Sequence, residues 1–330
     1  MRIGFIYDVR EHVFGIGEDG LVNELATELF SPSQANDLIA ALKACGHQVE
    51  VVDGAREFLR QLPAIKERID FVFNEAKGLY GPDRKMAVPA LCRIHGLPFL
   101  GSDAYAVTLA RNKFHTLAVA ALCGIPIPPS ALVTDPAGTA GWSVFPAIVK
   151  PNYESSSIGI TDQSVVDGPD TLRAQVAHVL DTYGQPALVQ AFIEGVEVQV
   201  PVIGNASPRA LELVELVVPR GPGNPHGIVR NEDWVEDSVD FALYKGDPVL
   251  GAWLREQAVR GFRALGCADY ARLDFRVDPH GRAYFIEAAT HPDIFQDSSF
   301  VLAARAAGLE FVPLIGGLVE GSVARQRSGG

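Results

Sequence analysis

Residues 271–288 read ARLDFRVDPHGRAYFIEA, two segments of alternating character around the turn Asp278-Pro279-His280-Gly281. Such a turn between alternating segments predicts a β-hairpin. Side chains on a strand alternate between its faces with period two. The alternation places Leu273, Phe275, Val277, Tyr284, Ile286 and Ala288 toward a core, and Arg272, Asp274, Arg276, Phe285 and Glu287 on the other side. Asp274 and Glu287 would then project from neighbouring strands of one face. Two such carboxylates can share a hard cation, with phosphate oxygens filling its remaining positions, as Mg²⁺ prefers. The same pattern also fits a solvated face with cross-strand ion pairs.

The rest of the chain gives this hairpin a setting. Its 330 residues exceed what a single core organises, so two or three domains are expected. With 48% hydrophobic and 21% charged residues the chain can bury large cores. A net charge of −12 argues against non-specific binding of nucleic acid or an anionic membrane, both of which need a basic face. Cys45, Cys92, Cys123 and Cys267 form no CxxC pair and read as reduced thiols without a zinc site. The N-terminus shows no leader-like pattern and no window reaches 18 uninterrupted apolar residues, so a soluble cytoplasmic protein is expected.

Upstream, strand and helix signals alternate. Ile3–Tyr7, Val49–Val52 and Phe71–Phe73 read as buried strands, with helices over about 33–45, 55–68 and 86–95. That alternation predicts a parallel sheet, with ligands beyond the strands' C-terminal ends. The loop 74–84 lies at such an end and carries Glu75, Lys77, Asp83 and Arg84; it also fits an ordinary polar turn. A helix is expected over about 103–122, strands at Ala147–Lys150 and Gly159–Thr161, and a helix near 169–182. A strand-rich third part opens at Ala187, with runs at Val196–Ile203 and Ala210–Val218.

Three further segments bear on chemistry. Lys150 ends an apolar strand and is followed by Pro151-Asn152-Tyr153-Glu154-Ser155-Ser156-Ser157-Ile158-Gly159. Backbone N–H groups and hydroxyls of such a loop can cradle phosphate while the lysine supplies a point charge. An ordinary serine-rich hairpin turn fits too, although the chain has only seven lysines and one on an apolar strand is unusual. Leu188 to Glu197 (LVQAFIEGVE) reads only as strand, turn, strand, and Arg111-Asn112-Lys113 only as a solvated helix turn. No Ser/His/Asp or Cys/His arrangement is convincing; His12, His115 and His178 read as structural.

Taken in order, Lys113, Lys150 with its SSIG loop, QAFIEGVE, and RLD with FIE resemble the ATP-grasp ligases, specifically the D-alanine–D-alanine ligase-like branch, over about residues 1 to 320. The resemblance implies an ATP-grasp fold of α/β and α+β type. A Rossmann-like parallel domain would span 1–101, a central lobe 102–186 and a C-terminal lobe 187–330, the two lobes clasping ATP. It implies that Lys113 and Lys150 bind the phosphates under Ser156 and Ser157. Gln190, Ala191, Phe192 and Ile193 would line the adenine, Ala191 and Ile193 through main-chain groups, with Ile286 also against the nucleotide and Glu197 on the ribose. Asp274 and Glu287 would hold Mg²⁺ (or Mn²⁺), and Arg272, Ser156 and Glu28 would act at the reacting centre. The implied reaction joins a small-molecule carboxylate to an amine through an acylphosphate, releasing ADP. Homodimers are common in such ligases.

Departures from the family pattern point to other substrates. Its Glu-x-Asn reads Glu287-Ala288-Ala289 here, with Asp293 or Asp297 able to offer a compensating oxygen. Gln190 replaces the usual acidic residue of the adenine site, the Ser-x-Glu element reads Ala26-Thr27-Glu28, and residues 74–84 differ from His-Gly-x-x-Gly-Glu-Asp. The substrate flap is replaced by residues about 222–247, offering His226, Arg230, Trp234, Tyr244 and Lys245. Arg230, Asp293 and Ser298 are the expected substrate contacts. A ligase that joins something other than two D-alanines is therefore expected, with a D-alanine–D-alanine ligase or a nucleotide-binding protein with little turnover as alternatives.

Overall fold

A computed structural model describes residues 1–9, 24–78, 81–218, 220–221, 224–236 and 238–328. His12 lies outside the described residues, as do parts of the loop 74–84 and of the segment 222–247. The first sheet is parallel in the order β2-β1-β3, formed by β1 (Arg2–Tyr7), β2 (Gln48–Asp53) and β3 (Phe71–Glu75). Ser31 starts the helix Pro32–Ala44 with a reciprocal cap: Gln34 N–H donates to its hydroxyl at 3.3 Å and Ser31 N–H to the Gln34 side chain at 2.9 Å. Leu38 and Leu42 of that helix pack with Phe5 and Phe73, and with Leu314, Ile315 and Val319 of the C-terminal helix Phe311–Ser328. The two ends of the chain thus share one core.

The central sheet has the order β4-β7-β5-β6, from β4 (Ser130–Val133), β5 (Ala147–Pro151), β6 (Val165–Val166) and β7 (Ala187–Ala191). In sequence β7 reads as the opening of the third part, yet it hydrogen-bonds between β4 and β5. The third sheet runs β11-β10-β8-β12-β13, with the short β9 (Arg209–Ala210) paired to β8. Its members are β8 (Val196–Ile203), β10 (Val214–Val217), β11 (Asp240–Leu243), β12 (Tyr270–Val277) and β13 (Ala283–Ala289). Gly195 makes the tight passage from β7 to β8. Its φ is +132°, and a Cβ there would sit 1.9 Å from the Val277 carbonyl oxygen.

Three sequence expectations are corrected. The helix expected over 103–122 is two helices, Ala104–Arg111 and Lys113–Leu122, broken at Asn112. Asn112 leaves the helical region at ψ 92°, and its side chain accepts from His115 N–H and from the Asn152 amide, so a local cap outcompetes helix continuation. Gly159–Thr161 is a turn, not a strand; Ser157 and Gly159 both have positive φ, which a ladder does not accommodate. In the hairpin, a bulge after Asp274 pairs Phe275 with Phe285 and leaves Ile286 without an opposite residue. Phe285 therefore joins Leu273, Phe275 and Val277 in the core, while Ile286 turns into the cleft. No single described helix is long and apolar enough to cross a membrane.

Candidate active site

The central sheet and the third sheet face each other across a cleft. β12 lies between β8 and β13, and a cross-strand row on its cleft face runs Gln199, Asp274, Glu287. Asp274 is fully buried, with the Arg272 Nε 2.9 Å from Oδ1 and Nη2 2.8 Å from Oδ2. Burial raises the Asp274 carboxyl above its ordinary range despite that pair. Burial lowers Arg272, but Asp274 more than reverses this and holds its charge firmly. Lys113 Nζ donates to the Glu287 carboxylate. Burial would raise Glu287, but Lys113 and Lys150 outweigh it and bring the carboxyl down to about 2. The solvated-face reading of this hairpin is thus excluded, and Arg111 and Lys113 are likewise buried rather than solvated.

The break at Asn112 is what delivers Lys113. Its N–H is anchored on the Asn152 carbonyl at 3.1 Å, so the second helix starts at the cleft wall. Lys150 lines the same cleft from the end of β5, where burial, with repulsion from Lys113, brings its ammonium down to about 8. Ser156 and Ser157 follow with φ of 52° and 55°, a left-handed pair that non-glycine residues adopt only when surrounding contacts impose it. Those contacts are Asn231 Nδ2 to the Ser156 carbonyl at 3.1 Å and Trp234 Nε1 to the Ser157 hydroxyl at 3.3 Å. Asn231 Nδ2 also reaches the Thr27 hydroxyl at 3.1 Å, so one side chain touches all three parts of the chain.

At the other end, Gln190, Ala191, Phe192, Ile193 and Ile286 line the cleft. Gln190 Nε2 donates to Ser130 at 3.1 Å, and Ala191 N–H donates to the Pro129 carbonyl at 2.8 Å. The Ile193 carbonyl accepts from Arg276 Nε at 3.1 Å. Arg276 also lies over the Phe192 ring, 5.3 Å from its centroid, and 3.9 Å from Glu197. Burial lifts Glu197 to about 7, with Arg276 opposing and Asp274 and Glu287 reinforcing.

Beyond the Lys113–Glu287 pair the cleft continues toward the first sheet, where Glu28 forms one wall. Ser155 Oγ donates to Glu28, Arg84 Nη2 lies 3.0 Å and Lys85 Nζ 3.3 Å from it. Burial would raise Glu28, but Lys85, Arg84 and Arg111 hold its carboxyl well below the usual range. Asp293 lines this space and pairs with Lys77 at 3.4 Å; Ala289 lines it too. Ser298 borders an adjoining groove of about 940 Å³ and spends its hydroxyl capping the helix Ser299–Ala306, accepting from Val301 N–H at 3.3 Å. Arg230 is not brought to the cleft: it pairs with Asp162 at 3.0 Å, Asp233 at 2.7 Å and Glu232.

Sequence reading held Lys77 only as one charge of the loop 74–84, with a polar turn as the alternative, and passed over Lys85 and Gln199. Lysine scarcity carried the signal, since Lys77, Lys85, Lys113 and Lys150, four of the seven in the chain, line this one cleft. Gln199 Oε1 is buried without a hydrogen-bond partner among the described residues, beside Asp274. An orphaned amide oxygen next to two carboxylates is a hard-oxygen donor set, and it fits Mg²⁺.

A family model described as the D-ala D-ala ligase C-terminus matches residues 133–320. The chain belongs to the D-alanine–D-alanine ligase family. Within it, a D-alanine–D-alanine ligase of Desulforudis audaxviator is 31% identical, covering 85% of this chain and 89% of its own. The uncharacterized protein y4sG of Sinorhizobium fredii is 28% identical over 91% and 93%. The D-alanine–D-alanine ligase of Bacillus anthracis, solved with ATP, shares the fold with a TM-score of 0.75 at 20% identity, over the full length of both chains. The fold is thus ATP-grasp, and this family member is an ATP- and Mg²⁺-dependent carbon–nitrogen ligase.

Proposed function

We propose that this ligase joins a small-molecule carboxylate to an amine through an acylphosphate, and that its substrates are not two D-alanines. The observation that carries the second half is Glu28, which meets the substrate end of the cleft already engaged by Arg84, Lys85 and Ser155. A carboxylate so engaged makes a poor receptor for the α-ammonium of an amino acid. The relatives' names favour the second reading, D-alanine–D-alanine ligation itself.

In the proposed reaction a carboxylate oxygen of the acyl donor attacks the γ-phosphorus of ATP, and the bond to ADP breaks. The amine nitrogen then attacks the acyl carbon, loses a proton, and phosphate leaves. Lys113 and Lys150 hold the phosphates, the left-handed Ser156–Ser157 loop covers them, and Glu197 takes the ribose hydroxyls. Asp274 and Glu287 hold Mg²⁺, which when bound neutralises phosphate charge. Arg272, pinned by Asp274, sits where the transferring group and the acyl carbon gather negative charge. No protein nucleophile is required.

ADP and phosphate release with saturating Mg-ATP and a panel of carboxylates and amines tests this. The expected result is equimolar ADP and phosphate with a pair other than D-alanine with D-alanine, which stays near background. D-alanine alone giving the highest rate contradicts the substrate proposal, and no release with any pair contradicts catalysis.

A further inference from the structure

Besides Lys77, which is paired with Glu75 and Asp293, the substrate end of the cleft contains two groups of cations. Lys113 and Arg272 form the first and are paired with Glu287 and Asp274. Lys85 and Arg111 form the second, on the wall built from Glu28, Glu154 and Ser155. Lys85 and Arg111 line this space but not the nucleotide end of the cleft, which Lys113 and Lys150 serve. In the second group, with Arg84 behind it, three cations face two carboxylates, Glu28 and Glu154.

The imbalance has a local mark. Arg111 is 7% exposed, its Nε donates to the Pro82 carbonyl at 2.8 Å and its Nη2 to the Tyr153 carbonyl, yet its Nη1 is buried with no hydrogen-bond partner among the described residues. That nitrogen lies 4.0 Å from Glu28, an ion-pair separation too long for a hydrogen bond. A buried guanidinium nitrogen left unpaired is costly, so Arg111 adds uncompensated positive charge to the wall that carries Lys85. Lys85 reports the same excess: burial, with repulsion from Arg111, Lys77 and Arg84 and against attraction from Glu28, brings it down to about 7. Its neighbour Ser155 is a hydrogen-bond partner at 2.9 Å and carries no charge.

Resting on the ligase reading above, we infer that the acyl donor is a dianion. One carboxylate reacts beside Lys113 and Arg272, and a second anionic group is held by Lys85 and Arg111, so the donor is a small dicarboxylate-class acid rather than a monocarboxylic α-amino acid. An α-ammonium beside this wall would meet Lys85 and Arg111, and the other carboxylates lining the space, Asp293 and Glu287, are already paired with Lys77 and Lys113. Binding of the second anion also restores the Lys85 charge, so near neutral pH it takes up protons from buffer.

The test replaces the natural amine with hydroxylamine, which captures an acylphosphate as the hydroxamate and frees phosphate whatever the true acceptor is. Malonate, succinate and glutarate are compared with butyrate and D-alanine at saturating Mg-ATP. The inference expects one diacid to exceed both monoacids by about tenfold or more in kcat/KM. Lys85→Met should raise the diacid KM by about tenfold with the ATP KM unchanged, and Lys85→Arg should recover much of it. Calorimetry on the complex with Mg²⁺ and a non-hydrolysable ATP analogue supplies the independent readout. Diacid binding with proton uptake but no ADP supports the anion site and overturns the ligase reading. Turnover with butyrate or D-alanine at rates equal to the diacids supports the ligase reading and overturns the inference. Absence of diacid binding overturns the inference whatever the turnover.

Discussion

Asp274 and Glu287 sit side by side on adjacent strands, each already neutralised by a cation, Arg272 and Lys113. On the proposed reading, nucleotide and metal binding exchange those pairs for phosphate and Mg²⁺ contacts. Asp274→Asn and Glu287→Gln are nearly isosteric, so each should abolish turnover while circular dichroism stays that of the parent, with Asp274→Asn lowering Tm because it leaves the Arg272 charge uncompensated; near-normal rates in both would place the metal elsewhere. Lys150 carries a pH signature. Its folded-state value of about 8 lies below the ordinary 10.5, so between these values the unfolded chain holds a proton that the folded chain has released. Stability from this group therefore rises with pH through that window. Phosphate binding needs the charged form, so the KM for Mg-ATP should climb above pH 8 in a steady-state pH series, the opposite direction to stability. Residue-scale chemistry was partly legible. Lys150 at a strand end was legible as a candidate phosphate ligand, whereas Lys113 read as solvated until the resemblance was drawn, and Lys77 and Lys85 acquire partners as distant as Asp293 and Ser155, meetings that local sequence does not encode.

At the scale of elements, the serine loop is held in its left-handed course by contacts from the segment Asn231–Val235. Asn231→Ala should loosen it, seen as faster proteolytic cutting between residues 155 and 160 and a raised ATP KM, with little change in Tm. Gly195→Ala is a different kind of test, since the added Cβ meets backbone 1.9 Å away rather than a yielding side chain. A loss of more than about 2 kcal/mol in chemical denaturation is expected. The hairpin at 271–288 was readable because its turn and alternation are local signals. Its bulge was not, for nothing in the alternation marks where one residue is inserted, so Phe285 and Ile286 exchanged sides. Asn112 breaks its helix through the distant Asn152, which a helical pattern in sequence does not reveal.

Across the whole molecule, the first sheet's loops and the central sheet meet through ion pairs that are nearly all buried: Arg84 with Glu28 at 3.0 Å and with Glu154 at 2.8 Å. Removing one member leaves the others uncompensated, so Arg84→Met should cost about 3–5 kcal/mol in denaturant titration. A loss under about 1 kcal/mol would mean that water reaches the network. The same network lines the end of the cleft proposed to hold substrate, so on that reading stability and specificity draw on the same side chains. The net charge of −12 gave no hint of this cation-rich interior, because it sums a surface the substrate does not meet. The measurement that bears most directly on catalysis is isotope transfer. With the acyl donor that supports ADP release labelled with ¹⁸O in its carboxylate, an acylphosphate requires one labelled oxygen to appear in the phosphate released. Unlabelled phosphate under turnover would contradict the account.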